Sequence, residues 1–245
     1  MATTEKKTIA KKAAPKKTAD KDVIVIKPLV IKTATIRLVG DTPMIVHRWS
    51  EKMKRLLPAG KRAAELDGID VKKEYQSPIE AFIESCYWIS GKPTEYTQEA
   101  FEEAIANGAR FGMRVEAFKM AAIDAAYSKG WLKNKKSIKG LFFIRPDAVD
   151  EEGNQLVEIH SDPPVMREDI VILSGISRTP DLRWRPEFRN WYVDLKIEYD
   201  ADGMYSLQDI VTMLQAGGRY NGIAEYRPEK DGQFGMFSVE SSVDD

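Results

Sequence analysis

The chain has 245 residues, 43% of them hydrophobic, and a net charge of -1. That supplies one sizeable core, and no apolar run approaches the ~18 residues a membrane span needs. One cysteine, Cys86, and two histidines exclude an internal disulfide, a cysteine cluster and a multi-histidine metal site, so no metal or cofactor is expected, and a reducing cytoplasm is the expected compartment.

The charge is unevenly spread. Residues 1–27 carry eight Lys against Glu5, Asp20 and Asp22, a local charge of +5 that leaves -6 for the rest. A basic signature over the whole protein is therefore absent, and any nucleic-acid face must be a local patch. Residues 1–22 are Lys, Ala and Thr with little to bury, so a disordered Lys-rich tail is expected ahead of a single α+β domain over 23–245. The tail has no apolar h-region and is not expected to act as a secretory signal. Its KK pairs read either as a polyanion-gathering arm or as a solubilising leader.

The alternation TATIRLV over Thr33–Val39 predicts the first secure strand, with Ala34, Ile36 and Leu38 on one face. Met44–Val46 is short and buried, and Ser50 can cap a helix from Glu51. His47, Arg48 and Trp49 sit at that junction, as a ligand rim or as hydrogen-bonded junction residues. Pro58–Tyr75 is a polar, partly helical excursion, and an insertion near 58–76 is expected to be mobile. Ser77-Pro78 starts a short helix to about Cys86, and Tyr87–Ile89 is a strand candidate. Thr97 caps a helix through Ala106, which Gly108–Gly112 breaks. Met113–Tyr127 is the best helix pattern, with Val115, Phe118, Ala122 and Ala125 recurring at three and four. GWLKNKKSIKG then packs Lys133, Lys135, Lys136 and Lys139 between Gly130 and Gly140. Strands are predicted at Leu141–Ile144, Leu156–Ile159 and Ile170–Leu173.

The stretch DLRWRPEFRNWYVDLKIEY over Asp181–Tyr199 reads as one long strand. Its second half alternates cleanly. Its first half mixes Arg183, Arg185 and Arg189 with Trp184, Phe188 and Trp191, and Pro186 is expected to keep it off the sheet ladder. Cations beside large rings suit phosphate contact and base stacking. A Trp-anchored edge strand with solvated arginines reads equally well. Arg178 leads into this stretch. Ser206 caps a helix with Leu207, Ile210, Val211 and Leu214 inward, ended by Gly217-Gly218. The close, RYNGIAEYRPEKDGQFGMFSVE, again mixes Arg219, Tyr220, Tyr226 and Arg227 with glycines that admit a phosphate chain, or forms a packed Gly-rich hairpin.

The element order fits an α+β sheet with helices on one face and a ferredoxin-like core with insertions. No Walker loop, HExxH or paired nucleophile is present, so no enzyme is expected. A metal-independent ribonuclease using His47 and His160 is the catalytic alternative. The favoured reading is a non-catalytic single-strand binder. Its groove is lined by His47, Arg48, Lys133, Lys135, Lys136, Arg178, Arg183, Arg185, Arg189, Arg219 and Arg227, with Trp184, Trp191 and Tyr220 as stacking platforms. The rival is a protein-interaction or assembly protein that uses the same rings.

TPMIVHRWSEK, FGMRVEAFKMAAIDAA, DLRWRPEFRNW and GIAEYRPEKDGQFGMFSV together resemble a widespread bacteriophage early-region family over about residues 33–240. More distantly, the layout resembles the RAMP superfamily, the RNA-binding backbone subunits of CRISPR effector complexes. The first strand (33–39), the helix from Val115 with Phe118-Lys119 and the glycine-rich close (221–235) carry that likeness, although the last loop lacks a run of closely spaced glycines. The resemblance implies an RRM-like core, single-stranded RNA or DNA as partner, a homo-oligomer along the strand, and no membrane.

Overall fold

The computed structural model describes residues 28–49, 77–172 and 180–240. The expected tail, the helix from Ser50, the 58–76 excursion and Arg178 lie outside the described residues. The elements run β1 (Ile31–Gly40), β2 (Met44–Ile45), α1 (Pro78–Ser85), α2 (Gln98–Ala106), β3 (Phe111–Arg114), α3 (Val115–Ser128), β4 (Phe142–Arg145), β5 (Ala148–Val149), β6 (Gln155–Ile159), β7 (Val165–Ile172), β8 (Pro180–Phe188), β9 (Tyr192–Asp200), α4 (Leu207–Ala216) and β10 (Phe237–Val239). The molecule is α+β, with antiparallel sheets and, among the described residues, four α-helices.

A four-stranded sheet in the order β10-β1-β9-β4 is the platform. Its register explains the core. Leu38 lies opposite Val193, Ile36 opposite Leu195, and Ile144 opposite Ile197. Side chains alternate faces along a strand, so these residues share one apolar side. Helix α3 lays Phe118, Ala122 and Ala125 into the core, all fully buried, and Phe118 meets Phe237 of β10 at 6.1 Å. The other side of the sheet is charged and self-paired. Arg37 holds Asp194 at 2.8 and 2.9 Å, Lys196 holds Asp147 at 2.8 Å, and Arg145 pairs with Glu198.

Two three-stranded sheets, β2-β8-β7 and β3-β6-β5, are built from the insertions on either side of α3 and β4. Ser77, Thr97 and Ser206 cap their helices as expected, each accepting a backbone N–H, and Ser206 completes a capping box with Asp209.

Four local expectations are corrected. Asp181–Tyr199 is two strands in two different sheets, broken at Asn190, whose φ is +49°. Pro186 stays inside β8, opposite Met166, and its carbonyl accepts the Val46 N–H at 3.0 Å. Met113 and Arg114, expected to open the helix, belong instead to a strand, because Phe111–Arg114 pair along β6. Lastly, Gly217 caps the end of α4 as expected, but the glycines do not turn the chain away. The chain continues through one π-helical turn, Gly217–Asn221, with Gly217 at φ -55°. Their role is close approach: a Cβ on Gly217 would stand 2.8 Å from the Ala122 nitrogen, and one on Gly218 would stand 1.9 Å from the Phe237 carbonyl oxygen. The space beside the glycines of the close, expected to admit a phosphate chain, is filled by the protein's own backbone: a Cβ on Gly232 would stand 1.7 Å from the Tyr226 carbonyl oxygen, and one on Gly235 would stand 2.0 Å from the Ile223 carbonyl oxygen.

Candidate nucleic-acid interface

Sequence reasoning centres the groove on the first half of β8. There the structure gives nearly every candidate group a protein partner. Arg183 binds its neighbour Asp181 at 2.9 Å. Arg185 is 1% exposed and bridges Asp169 at 2.7 Å and Glu225 at 3.3 Å, its guanidinium over the Tyr226 ring. Arg189 is exposed but held by Glu187 at 2.7 Å. Trp184 is half-buried and donates to Glu168 at 2.8 Å. Trp191 is 1% exposed and donates to the Thr42 carbonyl at 2.8 Å, so it is core and not a stacking platform. Two sources supply the acids: β7 brings Glu168 opposite Trp184 and Asp169 diagonal to Arg185, while Arg183 and Arg189 are neutralised by Asp181 and Glu187 of β8 itself.

The remaining cations gather elsewhere, at the C-terminal end of α3. Lys133, Lys136, Lys139, Arg219 and Lys129 are exposed, and among the described residues none of them makes an ion pair. Lys135 is the exception, bound to Asp124 at 2.9 Å. Three rings stand among them: Tyr127, Trp131 and Tyr220 are 45%, 50% and 51% exposed. The Lys129 ammonium lies 3.5 Å from the Tyr220 ring centre, and its hydrogen bond holds the Tyr220 hydroxyl below its ordinary pKa. A helix C-terminus attracts cations by its own dipole, but that effect fades within one turn. It accounts for Lys129 better than for Lys133–Lys139. Sequence reasoning found Lys133, Lys135, Lys136, Arg219 and Tyr220. It missed Lys129, Tyr127 and Trp131, although rings interleaved with lysines at 127–136 were the available signal.

A cleft of about 320 Å³ lies beside this patch, between α3 and the loop after the π turn. His47, Met120, Asp124, Asn221, Glu225 and Arg227 are on its walls. A second hollow of about 450 Å³ shares His47, Tyr87 and Arg114 with it and adds Trp49, which is 54% exposed. Arg48 does not offer a bare charge here, because it is engaged by Glu152 and by the Glu84 carbonyl. Glu84 is buried; burial pushes its carboxyl up, yet hydrogen bonds from Lys92 and Tyr96 hold it below its ordinary pKa. Arg227 is clamped by Glu229 at 2.7 Å and the Ala224 carbonyl at 2.8 Å. The cleft and the patch meet where Asp124 binds Lys135.

Burial pushes the His47 imidazole down to about 4, helped by Arg183 and then Arg185 nearby. An unfolded His takes its proton near 6.5, so the unfolded chain binds more protons than the folded one between the two values. The stability that neutral His47 confers is thus complete above about pH 6.5 and is lost as pH falls toward 4. The loss amounts to about 3 kcal/mol at most. Urea melts of wild type and His47→Asn across that window check this, and the variant is expected to show a flatter acid limb.

No protein-family model and no curated protein matches the chain. Among solved structures it is similar to the crystal structure of Cmr6 from Pyrococcus furiosus. The identity is 11%, the alignment covers 87% of this chain and 100% of that one, and the TM-score is 0.34. So loose a likeness transfers no role. Among the described residues no helix is long and apolar enough to cross a membrane, and no group of three or more His, Cys, Asp or Glu side chains is placed to hold a metal ion. Cys86 is buried, and burial pushes its thiol up, away from reactive thiolate.

Proposed function

We propose that the protein binds single-stranded nucleic acid, without catalysis, across the basic and aromatic end of α3. The observation that carries this reading is the set of unpaired cations Lys129, Lys133, Lys136, Lys139 and Arg219 around the exposed rings of Tyr127, Trp131 and Tyr220. Cations that track phosphates, with rings on which bases stack, are what sequence-tolerant single-strand binding needs. The patch stands on a body whose other described cations are largely matched by carboxylates, which makes it the local feature that a polyanion would find. RNA and DNA are both in scope. So is a bacterial host cytoplasm, in keeping with the phage-like sequence.

We also read the main sheet as ferredoxin-like. Its order, with α3 between β1 and β4 and α4 between β9 and β10, supports a βαββαβ core. In RRM-type proteins the open sheet face stacks bases. Here that face carries the Arg37–Asp194, Lys196–Asp147 and Arg145–Glu198 pairs, which argues for the helix end as the contact surface.

The test is a salt titration of oligonucleotide affinity. Each single-strand phosphate contact contributes about 0.7 to the slope of log K against log salt. Changing Lys129, Lys133 and Lys136 together to Glu is expected to lower the slope by about 2 and to leave the melting curve nearly unchanged. Wild type that binds no oligonucleotide at low salt would reject the reading.

A second reading, protein assembly, is favoured by one observation. The β7–β8 hairpin exposes Ile170 (72%), Ile172 (68%), Leu182 (42%) and Met166 (42%), and β7 is the outer strand of its sheet. An exposed apolar edge is a template for pairing with another chain. If copies line up along a strand through this edge, the Ile170→Lys, Ile172→Lys double variant is expected to run as a monomer by light scattering, with wild type larger. Equal masses would remove this reading.

A further inference from the structure

We infer that the cleft between α3 and the 221–229 loop takes a nucleobase, either of a free nucleoside or of one residue of a strand. This deepens the single-strand reading by giving the ligand's uncharged part a place of its own.

The argument starts from two polar side chains that line the cleft and make no hydrogen bond to a described residue. Asn221 is 7% exposed, lines the cleft, and its side-chain amide has no partner among the described residues. His47 lines both hollows and is likewise without a hydrogen-bond partner. Neither side chain's polar atoms are among the sealed, partnerless ones, which are Glu84 Oε2 and Arg185 Nε, so both remain open to an occupant of the cleft. An amide offers two donors and an acceptor, and a neutral imidazole offers one of each. That complement matches the edge of a base, which Asn reads in a bidentate manner.

The walls exclude a more highly charged occupant. Four carboxylates, of Glu116, Asp124, Glu225 and Glu229, face the cleft against the two guanidiniums of Arg114 and Arg227. Both guanidiniums are already spent: Arg114 lies 3.3 Å from Glu116, and Arg227 lies 2.7 Å from Glu229. A phosphate would meet net repulsion there. It belongs on the lysines outside, beyond the Asp124–Lys135 pair. The apolar surface of Met120 and the ring of Tyr87 supply contact for a flat heterocycle, and the volume of about 320 Å³ is at the lower end of small-molecule sites.

The loop is also held under tension. Ala224 and Tyr226 both adopt left-handed backbone angles, φ +64° and +49°, on either side of Glu225. Such angles cost about 1–3 kcal/mol each in non-glycine residues and gather at ligand clamps. The bond from the Glu225 N–H to the Ile45 carbonyl, 3.0 Å, pins the loop between them.

The experiment is equilibrium dialysis of the full chain with adenosine, guanosine, cytidine and uridine, which carry no phosphate. At least one nucleoside is expected to bind, with an affinity that salt barely changes. Asn221→Ala is expected to weaken it about tenfold, the usual effect of one lost hydrogen bond in a ligand site. Met120→Arg, at a residue 59% exposed, fills the mouth without touching the core and guards against a folding artefact of the first variant. If no nucleoside binds, or if neither variant weakens binding, the inference is overturned. Oligonucleotide binding with a steep salt slope but no nucleoside binding would sink the cleft and leave the patch standing. Nucleoside binding without oligonucleotide binding would do the reverse.

Discussion

Trp191→Ala is expected to destabilise the protein by about 3–5 kcal/mol, the usual range for deleting a buried large aromatic. The indole is 1% exposed, meets Phe237 edge-on at 6.3 Å and donates to the Thr42 carbonyl at 2.8 Å. Gly40 of β1 lies so close that a Cβ there would stand 2.3 Å from the ring. The cavity therefore opens between the platform sheet and the start of the second sheet, where neither wall can collapse freely. Total stabilities of single domains are about 5–15 kcal/mol, so the variant should be partly unfolded at modest denaturant. Urea denaturation followed by far-UV circular dichroism reads it directly. Trp131→Ala is the contrast: its ring is half exposed, so stability should stay within about 0.5 kcal/mol while oligonucleotide affinity falls.

Arg185→Ala is expected to cost a similar amount, about 3–5 kcal/mol, for a different reason. The guanidinium is nearly sealed, and Asp169, its partner at 2.7 Å, is 10% exposed. Removing the cation leaves that carboxylate with Arg167 alone, at 2.9 Å, and opens the sealed space the guanidinium fills. Arg185 Nε is itself buried without a hydrogen-bond partner, so the wild-type pair is not fully satisfied. Changing Arg185 and Asp169 together to apolar residues of similar volume should therefore recover most of the loss, as replacing a buried ion pair often does. The single variant has a second readout. Arg185 helps to hold His47 neutral, so its loss should raise the His47 pKa toward the ordinary value. Proton NMR of the imidazole follows that shift, and a purely mechanical role for Arg185 would leave it unmoved.

Those two residues also show where the sequence could be read and where it could not. β1 and α4 were legible because their periodicity is local: Leu38 is buried, and so are Ile210 and Leu214, at the spacing the pattern gave. Ser77, Thr97 and Ser206 were legible because a cap needs only its own neighbours. Trp191 was not legible. In RNWYV it alternates with polar residues as a surface ring would, and its burial comes from Thr42 and Gly40, some 150 positions away in the chain. Arg185 was misread for the same reason, since β7 supplies the acid that neutralises it. The break at Asn190 carries neither glycine nor proline to announce it. Of the contact surface, the lysine run was visible. That Tyr220 and Arg219 join it was visible only as composition, because the π turn that delivers them to the end of α3 follows from glycines that looked like a stop.

The pairing of β1 with β9 and β10 has a temporal consequence. Leu38 sits opposite Val193 on one side and Val239 on the other, so the central sheet joins strands about 150 and 200 residues apart in sequence. Contacts so distant in sequence must close very long loops before they are rewarded, which slows folding. During synthesis β1 has no strand to pair with until residues 192–200 have left the ribosome. The nascent chain thus waits with Ile36 and Leu38 lacking their neighbours Leu195 and Val193, and a ribosome stalled before residue 192 would hold a fragment prone to stick to its neighbours.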